Sequence, residues 1–156
     1  VDEKQHFKII ADTLSLNNFQ IIGSTENDIF KSYSKSINDL GMQLKTIENN
    51  YKTATNAKDS ARFKELYINK DKEVKAVRTN LIKTYPKSMT GFFLNVMQRP
   101  EVPAVPIVNG KTDSLYPFYY VKNHFWDNVI FNDNRLIRTP FFEDKLDEYF
   151  KNSKCF

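Results

Sequence analysis

Cysteine is nearly missing from this 156-residue chain; Cys155 is the only one. An internal disulfide and a Cys-x-x-Cys pair are both excluded. Glycine, at 4, and proline, at 6, are scarce, which argues against a loop-rich all-β fold. Histidine occurs twice, at His6 and His124, in no ligand-spaced motif, so no metal site is expected. The chain has no Gly-rich phosphate loop, no Gly-x-Ser-x-Gly and no His-Glu-x-x-His, and no cofactor and no catalytic residue is expected. No apolar run approaches the ~20 residues that cross a bilayer, so membrane insertion by this chain is not expected. The first residue is Val1 rather than methionine, and no signal peptide is expected within these residues. Val1-Asp2-Glu3-Lys4 opens in charged residues, which suggests a processed chain or an excised fragment.

What is present is aromatic and helical. Phe, Tyr and Trp make up 14% of a chain that is 40% hydrophobic, so the core of a single domain should be built around rings. Residues 24–85 read as two long helices folded back on each other. Tyr33, Ile37, Leu40, Leu44, Ile47 and Tyr51 follow at steps of four and three. Phe63, Tyr67, Lys70, Val74, Val77, Leu81 and Tyr85 keep nearly the same rhythm. That narrow seam at a 3.5-residue period is the pattern of helices packed lengthwise, and it needs cover from the rest of the chain or from a partner. Residues 25–85 hold twelve Lys/Arg against eight Asp/Glu, which accounts for the whole net charge of +4. The signs are interleaved, as in Lys70-Asp71-Lys72-Glu73, so the reading is a solvated face with i,i+4 pairs rather than a nucleic-acid surface.

Around the hairpin the chain is punctuated. Residues 6–11 and 19–22 read as short strands joined through 12–18, ending at Gly23. Ser24 or Thr25 caps the first helix, with Glu26 and Asp28 at the positive end of its dipole. Gly41 inside it marks a close helix contact or a hinge. Thr53-Ala54-Thr55-Asn56-Ala57 is the turn, and Pro86 stops the second helix. Ser88 caps a short third helix through Gln98, with Phe92, Phe93, Val96 and Met97 apolar. Arg99-Pro100-Glu101-Val102-Pro103-Ala104-Val105-Pro106 breaks regular structure; it reads as an extended connector, with a polyproline ligand as the alternative. Asn109-Gly110 is a turn, residues 114–127 a helix with Pro117 in its first turn, and Thr139-Pro140 opens a last helix carrying Phe141, Phe142, Leu146, Tyr149 and Phe150. The chain stops at Cys155-Phe156 without a closing signal, so the intact protein is expected to continue.

Carboxylates Glu143, Asp144, Asp147 and Glu148 fall opposite that apolar face and are expected in solvent rather than in a catalytic cleft. The densest chemistry lies between Trp126 and Pro140. Arg135 and Arg138 can hold Asp127 or Asp133 in bidentate pairs, which would make a structural staple. The alternative is a pocket for a peptide, sugar or anion, built from Trp126, Tyr119, Tyr120 and the arginines, with Asp127 and Asp133 at its edge. An exposed indole favours the pocket and a buried one the scaffold.

The segment HFWDNVIFNDNRLIRTPFFEDKLDEYF, residues 124–150, resembles a helical domain of unassigned role. That family lies ahead of thioredoxin-like domains of the TlpA/ResA type in bacterial envelope proteins. Its pattern matches Trp126-Asp127-Asn128, Asp133 with Arg135-Leu136, Arg138-Thr139-Pro140, Lys145-Leu146 and Tyr149-Phe150. The Arg99-Pro100-Glu101-Val102-Pro103 run and the opening Gly23-Ser24-x-x-Asn27 also fit. The resemblance implies a mainly α domain over residues 24–156, with 1–23 the tail of a preceding β domain. It implies a periplasmic or envelope-anchored parent, a thioredoxin-like domain of that parent as partner, and a non-catalytic scaffold role. A homodimer is a further expectation. Redox catalysis does not carry over, because the Cys-x-x-Cys is missing here.

Overall fold

A computed structural model describes residues 6–12, 15–108, 110–139 and 141–153. The chain divides into two compact units, residues 1–90 and 91–156. Cys155, Asn109 and Pro140, each part of an expectation above, lie outside the described residues.

The first unit opens with an antiparallel hairpin, β1 (Lys8–Asp12) and β2 (Ser15–Ile22), in which Ile9 faces Ile21 and Ala11 faces Phe19. Strand β2 begins within 12–18, read from sequence as connection; there Asp12 faces Ser15 across a register shift that follows Ala11. Ile9 and Phe19 stay more than half exposed. Gly23 turns the chain at φ +84°, where a Cβ would sit 3.2 Å from the His6 carbonyl oxygen; only glycine fits without strain.

Helix α1 (Thr25–Thr53) starts at Ser24, whose hydroxyl accepts the Asn27 N–H at 3.3 Å. Helix α2 (Ala57–Thr84) starts at Asn56, whose side-chain oxygen accepts the Asp59 N–H at 2.8 Å. The turn between them falls at Ala54–Asn56, and α1 and α2 pack against each other. Every seam position from Tyr33 to Ile47 is half-buried, as are Phe63, Lys70, Val77 and Leu81; Val74 is the one buried residue in either helix. Tyr51, Tyr67 and Tyr85 stay exposed. Lys70 keeps its ammonium on Glu73 at 2.7 Å while its stem lies in the seam. Gly41 corrects an expectation. A Cβ there would meet nothing within 4 Å, so no close helix contact explains it.

Helix α3 (Met89–Val96) starts in the last residues of the first unit, and the second unit continues with a two-residue hairpin of β3 (Ile107–Val108) and β4 (Lys111–Thr112), α4 (Tyr116–His124), a 3-10 turn at Leu136–Arg138 and α5 (Phe141–Ser153). Helix α4 is shorter at both ends than the 114–127 read from sequence. Asp113 accepts the Leu115 N–H in an Asx turn before it, and residues 125–128 follow in turns. The hairpin around Gly110 went unread, since two-residue strands carry no periodicity. The core of this unit is Phe92, Leu94, Val96, Phe125, Val129 and Leu136, all under 9% exposed.

Candidate functional site

The aromatic content of the second unit converges on one cluster. Helix α5 presents Phe141, Lys145 and Tyr149 at steps of four, hence on one face. Phe141 meets Phe93 of α3 at 4.2 Å between ring centroids, and Tyr149 meets Phe125 at 5.3 Å and Trp126 at 5.2 Å. Trp126 also touches Phe131 at 5.7 Å and is half-buried. The indole is therefore neither the exposed platform of a pocket nor a sealed core residue. Tyr119 and Tyr120, named with it in the pocket alternative, have ring partners of their own: Tyr119 meets Phe118 at 5.4 Å, and Tyr120 meets His124 at 4.3 Å.

The arginine–aspartate turn forms as a staple on one side only. Arg135 Nε lies 3.1 and 3.2 Å from the two Asp133 carboxylate oxygens, and its Nη2 donates at 2.7 Å. The Arg135 backbone N–H adds a bond at 2.9 Å. The Arg135 guanidinium carbon lies 4.3 Å from the centroid of the Phe92 ring, over which it stacks. The Arg135 side chain, then its backbone N–H, hold the Asp133 carboxyl below the usual aspartate range. Asp127 takes His124 instead, Oδ2 to Nδ1 at 2.7 Å, because a helix-end histidine three residues back is nearer than either arginine. Arg138 stands exposed at the end of the 3-10 turn. The Thr139 hydroxyl donates to the Leu136 carbonyl at 2.8 Å and closes that turn.

The residue that sequence reasoning passed over is Lys145. It is 4% exposed, with its Nζ 4.5 Å from the Phe125 ring centroid, 5.9 Å from Trp126 and 3.5 Å from the Gln98 carbonyl oxygen. Burial pushes its pKa below the usual lysine value; Glu148 opposes that shift and Arg99 adds to it. The signal was its position, midway between Phe141 and Tyr149 on the apolar stripe of α5. Of the carboxylates on that helix, Glu143, Asp144 and Asp147 are exposed as expected, and Glu148 takes Arg99.

The family matched at residues 69–155 is DUF5106, a domain of unknown function. The chain belongs to it. No curated protein and no solved structure matches the chain. The stretch matched to DUF5106 contains Trp126, Asp127, Asp133, Arg135, Arg138 and Lys145. In the first unit a separate open depression of about 580 Å³ lies between Gly23–Glu26 and Thr84–Ser88. Among the described residues no group of three or more His, Cys, Asp or Glu is placed to hold a metal ion. Among them, too, no helix is long and apolar enough to cross a membrane.

Proposed function

We propose that this DUF5106 chain is a non-catalytic helical domain. It spaces, oligomerises or positions a thioredoxin-like domain of the same parent protein, and presents clients to it. The observation that carries this reading is where the candidate binding groups have gone. Arg135 is engaged by Asp133 and Phe92, and Trp126 by three other rings, so side chains that could take a ligand serve internal packing. The long hairpin α1–α2 adds a rod with little interior, suited to spacing. The thiol–disulfide parent, its periplasmic or envelope location, and residues 1–23 as the end of a preceding β domain rest on the resemblance over 124–150. The test compares refolding of scrambled ribonuclease by the parent protein with and without residues 24–156. The rate should drop when they are removed, while the 156-residue chain alone shows no turnover. Robust thiol exchange by the chain alone overturns the reading.

A second reading is a peptide-, sugar- or anion-binding module at the same turn. It is favoured by Trp126 being half-buried rather than sealed and by the exposed Arg138. Tryptophan emission titrated with sulfate, short peptides or oligosaccharides decides it: a saturable shift lost in Arg138→Ala supports the module, and a flat titration removes it.

A further inference from the structure

Neither reading gives the segment between α3 and β3 a role of its own. We propose that residues 99–106 are a displayed polyproline II ligand. Its partner is a protein domain with a groove lined by tyrosine and tryptophan side chains.

Three observations support this. Pro100, Pro103 and Pro106 recur every third residue, the period of a polyproline II helix, so they share one ridge. Each proline fixes its own φ near −65° and biases the residue before it to extended backbone, which constrains six of the eight residues before any partner arrives. Second, the segment has no regular hydrogen-bonded structure, and Val102, Pro103, Ala104 and Pro106 are solvent-exposed while Pro100 and Val105 are half-buried. Third, both ends are tied. The Gln98 carbonyl accepts from Lys145, Arg99 pairs with Glu148 of α5, and Ile107 enters the β3–β4 ladder opposite Thr112. A strap pinned at both ends and stiffened by proline loses little entropy on docking. The dipeptide Val102-Pro103 and the exposed Pro106, with Val105 half-buried before it, give the spaced apolar knobs that aromatic-lined grooves accept.

A photoreactive p-benzoylphenylalanine placed at position 104 of the full-length protein, in its native cells, tests this. The expected product is an adduct with a second protein at residues lying between aromatic side chains of a groove. That partner, purified, should bind the wild-type protein and lose at least about tenfold in affinity to Pro103→Ala/Pro106→Ala. It should lose as much to a variant with one alanine inserted after Pro103, which keeps all three prolines and breaks the period. Both variants should keep the wild-type thermal midpoint by Trp126 fluorescence, which separates lost docking from lost folding. No adduct, an adduct only within the chain or with another copy of it, or binding indifferent to both variants overturns the proposal.

Discussion

The backbone N–H of Met89 points between the two carboxylate oxygens of Glu26, 2.9 Å from one and 3.0 Å from the other. Glu26 lies in the first turn of α1 and Met89 just beyond α2, so one carboxylate closes the open end of the helical hairpin. Its charge also faces the positive end of the α1 dipole. Glu26→Gln keeps an acceptor and loses the charge, and should cost about 0.5–1 kcal/mol. Glu26→Ala strands the amide and should cost about 1–2 kcal/mol. Urea denaturation followed by circular dichroism orders the two; equal losses would mean that the charge, not the bond, matters.

Gly41 stands mid-helix with open space where a side chain would be. Gly41→Ala should therefore stabilise the chain by about 1 kcal/mol, through helix propensity and a less flexible unfolded state. An increased urea midpoint at unchanged slope is the expected result. A decrease would show that the position serves a contact or a motion instead.

The Asp133–Arg135 pair sets an acid limb. The Asp133 carboxyl is held below its ordinary 3.8, so the folded protein keeps it charged where the unfolded chain takes up a proton. Its contribution is complete above that ordinary value and fades as pH falls through the folded one. Asp133→Asn should cost about 1–2 kcal/mol at neutral pH. It should also flatten the loss of stability below pH 3.8, as read from thermal melts across an acid series.

Lys145 acts in the opposite direction. Its folded pKa is lowered by burial, so near the alkaline end the unfolded chain binds the proton more readily than the folded one. Stability should rise as pH climbs from the folded value toward 10.5, the ordinary one. Lys145→Met should sit within about 1 kcal/mol of wild type at neutral pH, since burying a charge and losing its ring contacts nearly cancel. The same variant should lose the alkaline rise. Denaturant melts at a series of pH values check both.

The hairpin was legible because one physical rule made it: apolar residues at 3.5-residue spacing, with Ser24 as a cap candidate at the first helix start; the Asn56 cap of the second helix went unread. The Arg135–Asp133 staple was legible for a similar reason, since residues two apart in a tight turn face each other. Asp127 went to His124 rather than an arginine, a choice made by helix-end geometry that spacing does not express. Lys145 was hidden because a charged residue type argues for solvent, and only the packing of Phe125 and Trp126 around it says otherwise. Which rings Tyr119 and Tyr120 meet was not legible, because adjacency in an aromatic run does not fix ring pairing. The short β3–β4 pair left no pattern to read.

The hairpin α1–α2 has one buried residue along two arms of 29 and 28 residues. A rod with almost no interior can be lengthened without repacking anything. Seven residues added to each arm would keep the stripe in phase and move the tip about 10 Å further out. Reach is then a quantity that insertions of whole heptads can tune while the ring-and-lysine cluster is left untouched.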